Sequence, residues 1–215
     1  MKYRYAFLLG RPGCGKSAVY RELEKQISES GQARTLERAD DFPKLWARLQ
    51  ADDALQKEGK ERLCSRRSDD GDYHITDDNL FNEILQEVNE DVIAIDKPDH
   101  VVFVEFSRPN YIEAFRAFDR RILDNCIVVY IEVSFDTCWA RNVARHQAEM
   151  DQTGDDHMVG REEMERIFLH DDLDVLVQHM KGQNIPVLVV NNEADGKEHL
   201  RKQVSALFEH LLQDL

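Results

Sequence analysis

No apolar run in the chain approaches the ~18 residues that a membrane-crossing helix needs, and the first one, Ala6 to Leu9, is too short for the apolar region of a secretory leader. A cytoplasmic protein without membrane contact is therefore expected. Cysteine is scarce: Cys14, Cys64, Cys126 and Cys138 include no C-x-x-C pair and read as reduced thiols. The 8 histidines are scattered, with no H-E-x-x-H and no Cys/His cluster, so a structural zinc site is not expected. Positive charge is also in deficit, with 28 Lys and Arg against 42 Asp and Glu and a net charge of −14. Such a surface repels polyanions, which disfavours nucleic acid and anionic lipid as partners. An anionic small molecule would need a local cluster of Arg and Lys.

Linkers, internal repeats and low-complexity tracts are absent too. A length of 215 residues suits one α/β domain, expected here as a single unit over residues 1–215. Within it, apolar runs alternate with helical patterns. Tyr3 to Leu9 reads as a strand, and Lys16 to Glu29 as a helix closed by Gly31. Ala33 to Arg38 is a short strand, and Pro43 suits the first turn of a helix that Gly59 stops. Lys60 to Asp72 is polar and irregular. Thr76 is the expected cap of a helix over Asn79 to Asn89.

Val101 to Phe106 and Ile127 to Val133 are buried strands, with a helix over Ile112 to Leu123 between them and Ser134 capping the next. Arg161 to Lys181 reads as one helix, Pro186 to Val190 as a last strand, and Lys197 to Leu212 as a terminal helix. Apolar strands separated by helices imply a parallel sheet covered on both faces, a three-layer doubly wound α/β fold.

The segment Gly10-Arg11-Pro12-Gly13-Cys14-Gly15-Lys16-Ser17 matches the Walker A pattern G-x-x-x-x-G-K-[ST] at every fixed position. An apolar strand leads into it and an amphipathic helix leaves it. Glycines there let backbone N–H groups converge on phosphate oxygens, and the helix start adds positive potential. Lys16 would reach the β/γ-phosphates and Ser17 would place its hydroxyl on Mg²⁺. Cys14, beside a helix N-terminus, has the setting that lowers a thiol pKa, although a filler residue at a variable position accounts for it better.

On these residues the chain resembles the P-loop NTPases, and within them the nucleoside and nucleotide kinase-like branch. The resemblance implies a five-stranded parallel sheet of order 2-3-1-4-5, a Mg-ATP site built on Gly10, Arg11, Gly13, Cys14, Gly15, Lys16 and Ser17, and an arginine-bearing lid. It also implies an acceptor-binding carboxylate or base after the second strand, where Asp40 and Asp41 lie. A carboxylate there could take the proton of an attacking hydroxyl. Equally, Asp41 could cap the helix starting near Pro43, which would leave Asp40 for the chemistry.

Glu105 ends the run Val101 to Glu105, the Walker B pattern that positions Mg²⁺. Glu105-Phe106-Ser107-Arg108 is similar to the Glu-Arg-Ser that follows this strand in deoxynucleoside kinases, with the arginine displaced beyond the serine. Glu105 and Arg108 are thus candidates for the acceptor side as well. Arg141 and Arg145 lie one turn apart on one helix face, where the resemblance puts the start of a lid of about 141–166, with one arginine near the adenine and one on the phosphates. Arg161 and Arg166 read better as surface ion pairs. The stretch of about 42–99, with Trp46, Arg66, Arg67, Tyr73 and His74, is the implied acceptor region; ordinary packing explains it as well.

These readings favour a kinase that transfers the γ-phosphoryl of Mg-ATP to a nucleoside, nucleotide or other small metabolite. A regulatory nucleotide-binding module without transfer is the alternative. A GTPase switch fits poorly: Asn191-Asn192-Glu193-Ala194-Asp195 lacks the lysine of N-K-x-D, and Asp151-Gln152-Thr153-Gly154 does not follow a strand. A nucleic-acid kinase is at odds with the net charge.

Overall fold

The computed structural model describes residues 3–31, 35–69, 71–95, 97, 100–152, 159–194 and 196–212. Its first strand, β1 (Tyr5–Leu9), is buried at every position. Helix α1 (Lys16–Glu29) follows, then β2 (Thr35–Asp40), α2 (Phe42–Lys57), β3 (Ser65–Arg67), β4 (Tyr73–Ile75) and α3 (Asn79–Ala94). Next come β5 (His100–Glu105), the short helices α4 (Tyr111–Phe115) and α5 (Arg120–Leu123), and β6 (Cys126–Glu132). The chain continues through α6 (Phe135–Gln152), α7 (Arg161–Phe168), α8 (Leu173–Gly182), β7 (Val187–Asn191) and α9 (Lys197–Leu212).

Five strands form one parallel sheet in the order β2-β5-β1-β6-β7. Numbered among themselves they run 2-3-1-4-5, as expected. The sheet is parallel because each strand returns through a helix, and its central strands are apolar because helices flank them. Phe7, Leu8 and Leu9 of β1 are fully buried, each removal from water contributing about 1.5–3 kcal/mol. Phe7 meets Phe115 and Phe118 edge-on, with ring centroids 4.8 and 4.9 Å away. Among the described residues no helix is long and apolar enough to cross a membrane.

The structure departs from the sequence expectation at several places. β2 begins at Thr35 and runs on to Asp40, where the expectation ended it at Arg38; Ala33 lies outside the described residues. This edge strand is held by backbone pairing with β5 up to Asp40 beside Glu105, while only Ala39 on it is buried, so its side-chain pattern marks its ends poorly. The helix expected over Ile112 to Leu123 is broken at Ala117 and Phe118, where Phe118 turns into the core and Asp119 caps α5 by accepting the Arg121 N–H. The single helix expected over Arg161 to Lys181 splits because Asp171 and Asp172 are drawn elsewhere. Asp171 pairs with Arg11 and takes the Tyr130 hydroxyl, and Asp172 accepts the N–H groups of Tyr111 and Ile112.

Thr76 does not cap α3. Asp78 occupies that position, Asp77 accepts the Asn79 N–H at 2.9 Å, and the helix continues to Ala94. Ser134 does behave as a cap, its hydroxyl accepting the Thr137 N–H at 3.3 Å.

The polar segment Lys60 to Asp72, expected to be irregular, instead holds β3, which pairs antiparallel with β4 just beyond it. Its anchor is Asp52 of α2, 1% exposed, whose carboxylate accepts the N–H groups of Leu63 (2.8 Å), Cys64 (3.0 Å) and Ser65 (2.8 Å) and the Ser65 hydroxyl (2.7 Å). Burial alone would raise its pKa, but these donors outweigh burial and hold it down from 3.8 to about 2. Helix α7 closes over the same pair through Glu163, 5% exposed, which accepts from Ile75 N (3.1 Å), His74 Nδ1 (2.7 Å) and Arg166 (2.7 Å).

Because the folded pKa of Asp52 is depressed, its contribution to stability is fully present above pH about 4 and is lost as pH falls through about 2. Urea unfolding should show about 2 kcal/mol disappearing across that window. Asp52→Ala, which strands buried N–H donors, should cost about 2–4 kcal/mol at pH 7 and abolish this component of the pH dependence.

Candidate functional site

The turn between β1 and α1 approaches its neighbours so closely that side chains are excluded. Gly13 has φ +83°, and a Cβ there would lie 2.4 Å from the Cys138 carbonyl oxygen. Gly15, at φ +103°, opens α1; a Cβ there would lie 2.5 Å from Asn192 Nδ2. That amide donates to the Cys14 carbonyl at 2.8 Å, tying the turn to the segment after β7. The Gly10 N–H donates to the buried Tyr111 hydroxyl at 3.1 Å. No side chain caps α1, and the first N–H groups of a helix point out of its start with a positive potential.

Lys16, 9% exposed, folds over this turn, its ammonium donating to the carbonyls of Gly10 (3.0 Å) and Arg11 (3.2 Å) and to Ser107 Oγ (2.8 Å). Ser107 in turn donates to the Gly10 carbonyl at 2.7 Å. Parallel pairing sets Leu8 of β1 beside Glu105 of β5, and Glu105 beside Asp40 of β2. Two carboxylates therefore stand on neighbouring strands at the carboxyl edge of the sheet. Arg38, two residues before Asp40 and on the same strand face, pairs with both. One of its nitrogens, Nη2, donates to Glu105 Oε2 at 2.6 Å, to Asp40 Oδ2 at 2.9 Å and to Ser17 Oγ at 3.1 Å. Burial raises the Glu105 pKa, assisted by Asp40 and opposed by Lys16 and Arg38.

Asp40 and Asp41 divide. Asp40 faces Arg38 with one oxygen, and its other oxygen accepts the Phe42 N–H at 3.0 Å. Asp41 occupies the N-cap position of α2 without a capping side-chain bond and instead pairs with Arg108 at 2.6 Å. The expectation that Asp41's carboxylate caps the helix is thus reversed: Asp40 accepts the helix-start N–H. Arg108, 6% exposed, also donates to the carbonyls of Ser107 (2.7 Å) and Phe81 (3.1 Å) and lies 4.7 Å over the Phe81 ring. Burial pushes the Asp41 pKa up against the pull of Arg108.

The remaining candidates separate from this group. Arg11 turns toward the α7–α8 junction, donating to Phe168 O at 2.7 Å and pairing with Asp171 at 3.1 Å. The Cys14 side chain is wholly buried, and burial raises its pKa, so the helix-terminus effect expected there is overridden. Arg141 donates to the carbonyls of Asn192 (2.9 Å) and Glu193 (3.3 Å), just after β7. Arg145, exposed one turn on, donates to Asn142 at 3.0 Å. Arg161 pairs with Glu165 at the surface, as read from the sequence, whereas Arg166 reaches the buried Glu163 as well as the exposed Asp78. Residues 153–158 of the expected lid, Gly154 among them, lie outside the described residues, as do 70, 96, 98 and 99 of the expected acceptor region and Asp195.

Arg38, Ser107 and Asn192 were not singled out from the sequence. Arg38 had a signal, since Arg38-Ala39-Asp40 at a strand end puts a cation and an anion on one face. Ser107 and Asn192 act through spatial neighbours that sequence order hides.

No protein-family model matches the chain, and no curated protein matches it in sequence. Solved structures do. The APS kinase of Mycobacterium tuberculosis in complex with AMPPNP and APS superposes with a TM-score of 0.52 at 14% identity, covering 98% of each chain. Shikimate kinase from Acinetobacter baumannii in complex with shikimate gives 0.50 at 14% identity, covering 99% of this chain and 94% of that one. The fold is that of the P-loop kinases, a parallel five-stranded α/β sheet with flanking helices.

Gly13→Ala should cost about 1–3 kcal/mol in denaturant unfolding, because the added methyl meets backbone and the positive φ is kept only with strain. Cys14 should resist alkylation at pH 7–8 in the folded protein and react in urea, as peptide mass spectrometry would report.

Proposed function

We propose that the chain is an ATP-dependent small-molecule kinase of the cytoplasm, transferring the γ-phosphoryl of Mg-ATP to a small metabolite such as a nucleoside or nucleotide. One observation carries the reading. The Ser17 hydroxyl and the Glu105 carboxylate bond the same nitrogen, Arg38 Nη2, at 3.1 and 2.6 Å. Both oxygens are therefore within reach of a single cation, beside a glycine turn at the start of a helix. All the donors are oxygens, which suits Mg²⁺. Among the described residues no three His, Cys, Asp or Glu gather into a metal site. That fits an ion held by one or two protein oxygens together with phosphates.

In this reading the backbone of Gly10 to Ser17, including Arg11, Gly13, Cys14 and Gly15, cradles the phosphates. Lys16 leaves its carbonyl partners to bind phosphate oxygens, and its charge stabilises the transferring group. Ser17 and Glu105 hold Mg²⁺, which supplies charge neutralisation on the phosphates. Arg141 lies beside the segment after β7, on the base side of the site, and Arg145 supplies further charge. Asp41, raised in pKa and oriented by Arg108, takes the acceptor proton, as a base nearer neutrality does better. Asp40 stays on the metal side with Glu105. The similarity to kinases that bind AMPPNP, APS and shikimate supports a small acceptor, and the net charge of −14 argues against nucleic acid.

The test is ADP formation from Mg-ATP against a panel of nucleosides, nucleoside monophosphates, sugars and small hydroxy acids. One acceptor class should raise turnover, and Lys16→Ala should lower it on the order of 10²–10³-fold. Nucleotide binding with no acceptor-dependent ADP would replace this reading with a regulatory nucleotide-binding module.

A further inference from the structure

Arg38 occupies the position between Ser17, Glu105 and Asp40 that a divalent cation would have to share. Its Nη2 lies 3.1, 2.6 and 2.9 Å from their oxygens. Mg²⁺ binds oxygen at about 2.0–2.1 Å, so a metal on Ser17 and Glu105 would stand within a few ångströms of a fixed positive charge and compete for the same lone pairs. Repulsion at that range sets the two cations against each other for these oxygens. We propose that Arg38 is a tethered counter-cation that competes with the divalent metal, and that metal binding requires the guanidinium to swing away from Ser17 and Glu105.

Three features support movement in place of permanent exclusion. β2 is the edge strand of the sheet, so Arg38 leaves without breaking any strand pairing beyond its own side. Its side chain is 31% exposed, which gives it a route to solvent. The Tyr20 ring already lies 5.7 Å from the guanidinium carbon in the paired arrangement, a contact that does not depend on the carboxylates. The need for a resident cation follows from register. Asp40 and Glu105 are paired across adjacent strands, and like charges so placed repel unless neutralised.

This inference rests on the proposed Mg-nucleotide site, and the experiment separates the two. Mn²⁺ binding to the nucleotide-free protein is followed by the electron paramagnetic resonance of free Mn²⁺, and ADP binding is measured in EDTA by calorimetry. Arg38→Met should bind Mn²⁺ about tenfold more tightly than wild type, since it removes a competing charge in direct contact. Arg38→Lys, which keeps the charge, should stay near wild type. Should Arg38→Met not fold, Arg38→Gln carries the same expectation. Unchanged or weaker Mn²⁺ binding in the neutral variant, with ADP still bound in EDTA, would overturn the competition and leave the nucleotide site standing. No ADP binding under any condition would overturn both.

Discussion

β1 has no exposed residue and no free edge, being paired along its length with β5 on one side and β6 on the other. That burial fixes the candidate site. A strand so enclosed delivers its carboxyl end, Gly10, to one place, and parallel pairing brings the ends of β5 and β2 to the same level. The polar chemistry therefore has to be assembled at the rim of an apolar sheet. There each carboxylate loses part of its hydration and acquires a neighbour of like sign. The observed pattern of cations is the response to that constraint.

The response is local, and it runs against the charge of the whole chain. A protein of net charge −14 gathers Lys16, Arg38 and Arg108 at one sheet edge, with Arg141 beside the segment after β7. Each is already bonded within the fold. Lys16 is held by carbonyls and a hydroxyl, Arg38 by two carboxylates and Arg108 by Asp41. Partners of this kind orient long side chains and reduce the entropy lost when a ligand arrives. Asp40 and Asp41, adjacent in sequence, end in different environments because Asp40 closes β2 while Asp41 already has the helical backbone that opens α2.

The sheet and the phosphate-type turn were legible because they depend on local signals: apolar runs of strand length, and a glycine pattern at fixed spacing between a strand and a helix. Helix starts at Lys16, Pro43 and Ser134 were legible for the same reason. The features missed depend on distant partners. The β3–β4 pair is polar and short, and Asp52, more than ten residues earlier, organises it through buried bonds. The break between α7 and α8 follows from Asp171 and Asp172 serving groups on β6, α4 and the turn after β1, which no helical periodicity reveals. At Cys14 the filler reading fits, since the side chain is buried and burial is the largest effect on its thiol.

The arginine between Glu105 and Asp40 changes how the Walker A pattern is read in this chain. Arg38 is paired with both carboxylates and Lys16 stands nearby on carbonyls and the Ser107 hydroxyl, so two cations accompany two anions at this edge. A bare divalent ion would add two positive charges to a neutral, partly buried site, and a bare nucleotide would add several negative ones. Each alone is electrostatically unfavourable there; together they nearly cancel. On the proposed reading, the edge thus favours the metal and the nucleotide as one complex over either component. Releasing Arg38 toward solvent would then exchange one cation for another at the carboxylates. A sheet edge with carboxylates alone would attract metal before nucleotide. On that reading, one side chain on the outermost strand sets this edge against metal that arrives without phosphate.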